Sequence, residues 1–211
     1  NQQGNAPVHV VGLPSFYIDR TEVTNAAYRR CVADGKCSEP RQPGSPTHPD
    51  YFSNPKYDQY PVMQVTWEQA RSFCVYANKQ LPTEAQWEKA ASWDAQNSYK
   101  YTFPWGDDFK PELLNSSESN SSDTTPVGQF APGQNDLVDM AGNLAEWTNS
   151  ILKAYPYDEA DGREDFPASG ERAFRGGSWA QSQGKARVAS RQSAASDYPD
   201  REIGFRCAVT P

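Results

Sequence analysis

Seventeen prolines and fourteen glycines punctuate the 211-residue chain, and they bound what it can fold into. Proline removes a backbone donor and glycine loosens the backbone, so neither long helices nor long central strands fit between such breaks. The stretches that remain periodic are short. The chain therefore reads as a loop-rich α+β fold with a modest regular content. Its length suits one domain over residues 1–211, and neither a linker nor an internal repeat divides it.

Only 36% of the residues are hydrophobic, but six Trp, eleven Tyr and nine Phe give large burial per side chain. A core built on aromatic rings follows. The formal net charge of -7 argues against duplex nucleic acid as a partner, because phosphate binding needs a clustered basic surface. No apolar run approaches the ~20 residues of a membrane helix, so membrane insertion is not expected. The opening Asn1-Gln2-Gln3 carries no signal-peptide pattern, as in a chain already processed or trimmed.

Along the chain, residues 7–11 and 16–18 read as an opening pair of strands. Thr24 caps a helix that carries Tyr28, Cys31 and Val32 on one side, and Gly35 ends it. Residues 38–60, rich in Pro, Ser, Asn and Tyr, read as a long surface loop, and residues 60–65 as a short strand. Thr66 with Gln69 and Thr83 with Gln86 form two capping boxes that start two further helices. The first of these turns Ala70, Phe73, Cys74 and Ala77 to one stripe. From residue 99 onward the chain reads as short strands and long turns. Cys31, Cys37, Cys74 and Cys207 admit three disulfide pairings, or four free thiols in a reducing compartment. Cys37 lies just past the turn that follows Cys31.

Six segments, in order, resemble the formylglycine-generating (sulfatase-modifying factor) family. They are Phe16-Tyr17-Ile18-Asp19-Arg20-Thr21-Glu22-Val23-Thr24-Asn25, Leu81-Pro82-Thr83-Glu84-Ala85-Gln86-Trp87-Glu88 and Phe103-Pro104-Trp105-Gly106. The others are the run from Asp139 through Gly142-Asn143 to Trp147, then Arg175-Gly176-Gly177-Ser178-Trp179, and Gly204-Phe205-Arg206-Cys207. The resemblance implies a C-type-lectin-like domain. It also implies pairing of Cys74 with Cys207, which leaves Cys31 with Cys37, and hence an exported, extracytoplasmic protein. Calcium as a structural ion is implied at Asp139 and Glu146 with the carbonyls of Gly142 and Leu144, since Ca2+ takes six to eight oxygens. A second family site would use Asn115, Ser116 and Asp123. Asn115 and Asn120 each also begin an Asn-x-Ser glycosylation acceptor.

Members of the family that are oxidases hold Cu(I) through two cysteines after the Arg-Gly-Gly-Ser segment, and soft thiolates are what Cu(I) selects. The matching positions here are Gln181 and Ala186, so no copper is expected and the chain is not expected to be an enzyme. The two histidines, His9 and His48, sit in no ligand cluster. The alternative is an oxidoreductase of the same family that works without the copper cysteine pair.

The segment 179–203 lies between two of the matching motifs, and the resemblance places it over the binding groove. It offers Trp179, Ala180, Gln181, Ser182, Gln183 and Gly184, then Ser190, Gln192, Ser193, Ala194, Ala195, Ser196, Asp197 and Tyr198. This mixture is similar to the variable region of diversity-generating retroelement proteins, where randomised Asn codons give Ala, Ser, Gly, Asp and Tyr. Small residues adapt and an occasional Tyr anchors, as in a paratope. The expected partner is a protein or other macromolecular ligand.

Overall fold

A computed structural model of the chain describes residues 7, 9–119, 121–167 and 169–211. The acceptor expected at Asn120 and Val8 of the expected first strand lie outside the described residues.

Local signals start the helices. Thr24 accepts the amide of Ala27 at 3.2 Å and opens α1 (Asn25–Ala33). The chain leaves that helix through Gly35, whose φ of +68° lets its N–H reach back to the Val32 carbonyl at 2.9 Å. The two capping boxes form as expected. Thr66 and Gln69 satisfy each other's amides at the start of α2 (Trp67–Tyr76), and Thr83 and Gln86 do so at α3 (Glu84–Ser92).

Sheet pairing is long-range. The largest sheet has four strands in the order β6 (Gln192–Ala194), β5 (Arg172–Arg175), β4 (Ala145–Ile151), β7 (Ile203–Gly204). The β6–β5 and β5–β4 pairs are antiparallel, and β4–β7 is parallel. A hairpin of β2 (Trp93–Asp94) and β3 (Tyr99–Lys100) follows α3. Near the chain ends, β1 (Tyr17–Ile18) pairs with β8 (Ala208–Val209), so residues almost 200 positions apart share one ladder. A single turn, α4 (Gln183–Ala186), sits between β5 and β6.

Aromatic rings fill the core, as the composition requires. Tyr28 stacks on Phe73 at 5.6 Å and Phe205 meets Phe73 edge-on at 5.5 Å. Trp67 and Trp147 are buried in the same cluster. Cys31–Cys37 and Cys74–Cys207 are bonded, and no cysteine is free.

Among the described residues, two expected strands do not form. Residues 9–11 have no strand partner, and Val10 is 99% exposed. Residues 60–65 make one isolated bridge, Thr24 with Pro61. Pro61 has no N–H to extend that bridge, and Gln64 adopts φ +62°, which ends the extended run.

Candidate functional site

The platform beneath the segment 179–203 begins where β5 ends. Gly176 and Gly177 follow Arg175 with φ of +96° and +71°. A Cβ on Gly177 would lie 2.9 Å from the backbone of Lys185, so only glycine lets α4 fold down over this turn. Ser178 donates to Glu202 at 2.8 Å. The amide of Trp179 donates to the Asn143 carbonyl at 2.8 Å, and its indole N–H to the Arg201 carbonyl at 3.3 Å. The ring packs with Tyr51, Met63 and Leu144.

Trp179 is therefore an anchor and not part of the outer face, which corrects its expected place; Ser190, also expected outside, is buried too. The amide of Ser190 bonds the Arg187 carbonyl at 2.8 Å and closes a turn. Ala180, Ser182, Gln183, Gly184, Ala195, Asp197 and Tyr198 are exposed, as is Lys185. Gln181, Gln192, Ser193, Ala194 and Ser196 are half-buried. The structure brings Gln181 and Gln192 together: each amide nitrogen donates to the other's oxygen, at 3.2 and 3.0 Å. Ser193 donates to Glu171 at 2.6 Å. The loop at 115–119 supports the other side, with the Ser117 amide donating to the Gln181 carbonyl and the Gln183 amide to Glu118.

Gln181 and Ala186 stand where the resemblance puts copper-binding thiols. Ala186 is buried beside Phe103, Leu114 and Ala141, and every cysteine is in a disulfide. Neither position carries a thiol, and no cysteine thiol is free.

Behind the platform lies a buried charge cluster. Both oxygens of Glu146 accept from Arg206, at 2.7 to 3.0 Å, and one also accepts the indole N–H of Trp87 at 2.7 Å. Arg206 spends its remaining donors on the carbonyls of Asp19, Arg20 and Val138. Glu22, to which no role was assigned from sequence, accepts from the Asn143 side chain at 2.7 Å and the Leu144 amide at 3.0 Å. Burial, then the charges of Asp139 and Glu146, push the Glu22 carboxyl well above its usual range. Burial likewise raises Asp139, whose one oxygen accepts the Gly128 amide at 2.6 Å. The only sequence signal for Glu22 was its place in the first matching segment.

Tested against calcium, this cluster fits in charge and in one ligand. Three buried carboxylates face one guanidinium, and Asp139 keeps an oxygen that accepts nothing among the described residues. Glu146 offers no free oxygen, since Arg206 and Trp87 take both. The second expected site does not fit. Asp123 accepts from Thr47, Ser45 and Thr124, and Asn115 bonds the Asp123 carbonyl at 2.9 Å and Ser119 at 3.2 Å. Ser116 donates to Glu118. Hydroxyls of Ser45 and Thr47 and the Thr47 amide, which sequence reading missed, occupy one Asp123 oxygen. Asn115 is also 1% exposed, so it is no glycosylation acceptor. Among the described residues, no three His, Cys, Asp or Glu are gathered to hold a metal.

The family described as sulfatase-modifying factor enzyme 1-like domain matches residues 1–211. Hercynine oxygenase of Mycolicibacterium smegmatis is 32% identical over 230 residues, which cover 94% of this chain and 53% of that protein. Formylglycine-generating enzyme of Bos taurus is 28% identical over 262 residues, covering 99% of this chain and 69% of its own. The chain spans about half the length of the hercynine oxygenases it matches. Among solved structures, Treponema denticola variable protein 1 superposes with a TM-score of 0.73 over 96% of this chain and 87% of its own, at 23% identity. That likeness bears out the C-type-lectin-like α+β fold. Two of these relatives are named as enzymes, which overturns the expectation that the chain is not one.

Proposed function

The chain belongs to the family of sulfatase-modifying factor enzyme 1-like domains, and from that premise we propose that the outer side of residues 179–203 recognises a protein or other macromolecular ligand. One observation carries this reading: the scaffold leaves most of the side chains exposed there unused, Tyr198, which bonds Asp200, being the exception. Among the described residues, Ser182, Gln183, Lys185 and Asp197 make no side-chain hydrogen bond or ion pair, and Ala180, Gly184 and Ala195 add small, adaptable surface. Tyr198, 48% exposed, supplies an aromatic anchor. Trp179, Ser178 and the Gln181–Gln192 pair hold the frame beneath.

In its finer form the proposal is a variable protein of a diversity-generating retroelement. The likeness in fold to a variable protein supports it, as do Ala, Ser, Gly, Asp and Tyr at exposed positions. Two disulfides favour an extracytoplasmic setting. Calcium, held at Asp139 and the carbonyls of Gly142 and Leu144, would balance buried carboxylate charge and fix the loop under Trp179.

A second reading follows from the 32% identity to a hercynine oxygenase: the ligand on this side is the substrate of an oxidative reaction that needs no thiolate copper. Two assays separate the outcomes. Partner capture from the extracellular fraction of the source organism is compared for the wild type, a Gln183→Ala/Lys185→Ala/Asp197→Ala/Tyr198→Ala variant and a Val75→Ser control on α2. Loss in the four-residue variant alone supports recognition by this surface, and equal loss in the control refutes it. Steady oxygen uptake with a thiol substrate, removed by the same four changes, would favour the oxidative reading.

A further inference from the structure

A cavity of about 430 Å3 lies between residues 9–13, the outer side of α3 and the loop that carries Tyr155 and Tyr157. It is separate from the recognition surface: of residues 179–203, only Ala189 lines it. A volume of this order suits a small organic ligand. Val11, Leu13, Trp93 and the rings of Tyr155 and Tyr157 make most of its wall apolar.

The polar groups in the wall divide into those already spent and those free. His9 accepts the Tyr157 amide on Nε2 at 3.0 Å, so its proton is on Nδ1, which donates to the Pro7 carbonyl at 2.8 Å. Both ring nitrogens of that imidazole are thus used. Glu88, the lining carboxylate, has one oxygen on Lys100 and the other on Arg175. It offers nothing to a cationic ligand. The ammonium of Lys89 and the hydroxyl of Tyr155 have no hydrogen bond or ion pair among the described residues. Burial, then the charges of Glu84 and Glu88, push the Tyr155 hydroxyl up to about 12, so it remains a donor at neutral pH. The groups with no partner at all are thus two donors, one of them charged, in a mainly apolar wall.

We propose that this cavity binds a small amphipathic carboxylate, with its apolar body against Leu13 and Trp93 and its carboxylate on Lys89 and the Tyr155 hydroxyl. A neutral analogue keeps the apolar contact and loses the ion pair. A cation meets only Lys89, Lys100 and a neutralised Glu88.

The test is calorimetric titration of the whole chain with 4-phenylbutyrate and with its amide, 4-phenylbutyramide. The carboxylate should bind saturably and about fivefold more tightly than the amide, the range of a solvent-screened ion pair. Lys89 is exposed on α3, so Lys89→Met should fold normally; it should bring the carboxylate down to the affinity of the amide and leave the amide unchanged. Ala85→Trp, which fills the cavity from the first turn of α3, should stop both. No saturable binding of either compound overturns the proposal. So does a carboxylate preference that survives Lys89→Met. If Ala85→Trp fails to fold, the Lys89→Met comparison decides alone.

Discussion

At the scale of single residues, the decisive contact is Arg206 with Glu146. Both side chains are buried, and the guanidinium has five donors placed on a carboxylate and three backbone carbonyls. Arg206→Met should cost about 3–5 kcal/mol in urea unfolding, because it strands Glu146 in a dry site beside Glu22 and Asp139. Adding Glu146→Gln should recover part of that loss, and a single-variant cost below ~1 kcal/mol would contradict the account. Arg206 was visible in the sequence as part of a matching segment, but its role was not. The carboxylate of Glu146 was expected on calcium and sits on arginine instead, which only three-dimensional proximity across 60 positions could reveal. A second residue sets a pH dependence. Burial raises the Glu164 carboxyl, held by Ser150 and Asn149, above its usual range. A raised acid stabilises the fold below its unfolded value of ~4.3 and loses that contribution as pH rises through the folded value. Wild type should therefore lose stability relative to Glu164→Gln as pH rises from about 4.3 through the raised folded value. Parallel pH profiles of the two proteins would contradict the shift.

At the scale of elements, what was legible was local. Thr24, Thr66 and Thr83 declare three helix starts through bonds that close within three residues, and each forms. Strands were legible only where the matching segments carried them, because their partners are distant. β4 pairs with β7 almost 60 positions away, and β1 with β8 nearly 200. Residues 60–65 misled because their apolar pattern says nothing of Pro61 or of the left-handed Gln64. The loop at 139–146 is the element where charge remains unbalanced. Calcium at about ten times its Kd should raise Tm by about 3–6 °C, as binding to the folded state alone requires. Asp139→Ala should abolish that response and Asp123→Ala should not, since Asp123 is already satisfied by protein donors. An unchanged Tm on adding calcium or chelator would remove the ion from the account.

At the scale of the whole molecule, long closures hold a loop-rich chain together. The Cys74–Cys207 bridge spans 133 positions and Cys31–Cys37 only 6. In the chain-entropy view, Cys74→Ala/Cys207→Ala should cost about 5 kcal/mol and Cys31→Ala/Cys37→Ala about 2 kcal/mol. Equal losses in chemical denaturation would contradict that ordering. Six segments in family order, spread over the chain, made this fold legible. The recognition surface was legible as a segment but not as a surface: Trp179 and Ser190 turn inward, and Gln181 with Gln192 forms a brace that no spacing rule predicts. The carboxylate cavity was not legible at all, since the N-terminal segment, α3, β3 and the 155–157 loop meet only in the fold. The central claim is that residues 179–203 are the working surface of a scaffold that leaves most of their exposed side chains unused. The most direct measurement is to sequence copies of this gene across its source population. The account predicts that replacements concentrate at Ala180, Ser182, Gln183, Lys185, Ala195, Asp197 and Tyr198, while Ser178, Trp179 and Arg206 stay fixed. Replacements spread evenly over all exposed loops, including residues 38–60, would contradict it.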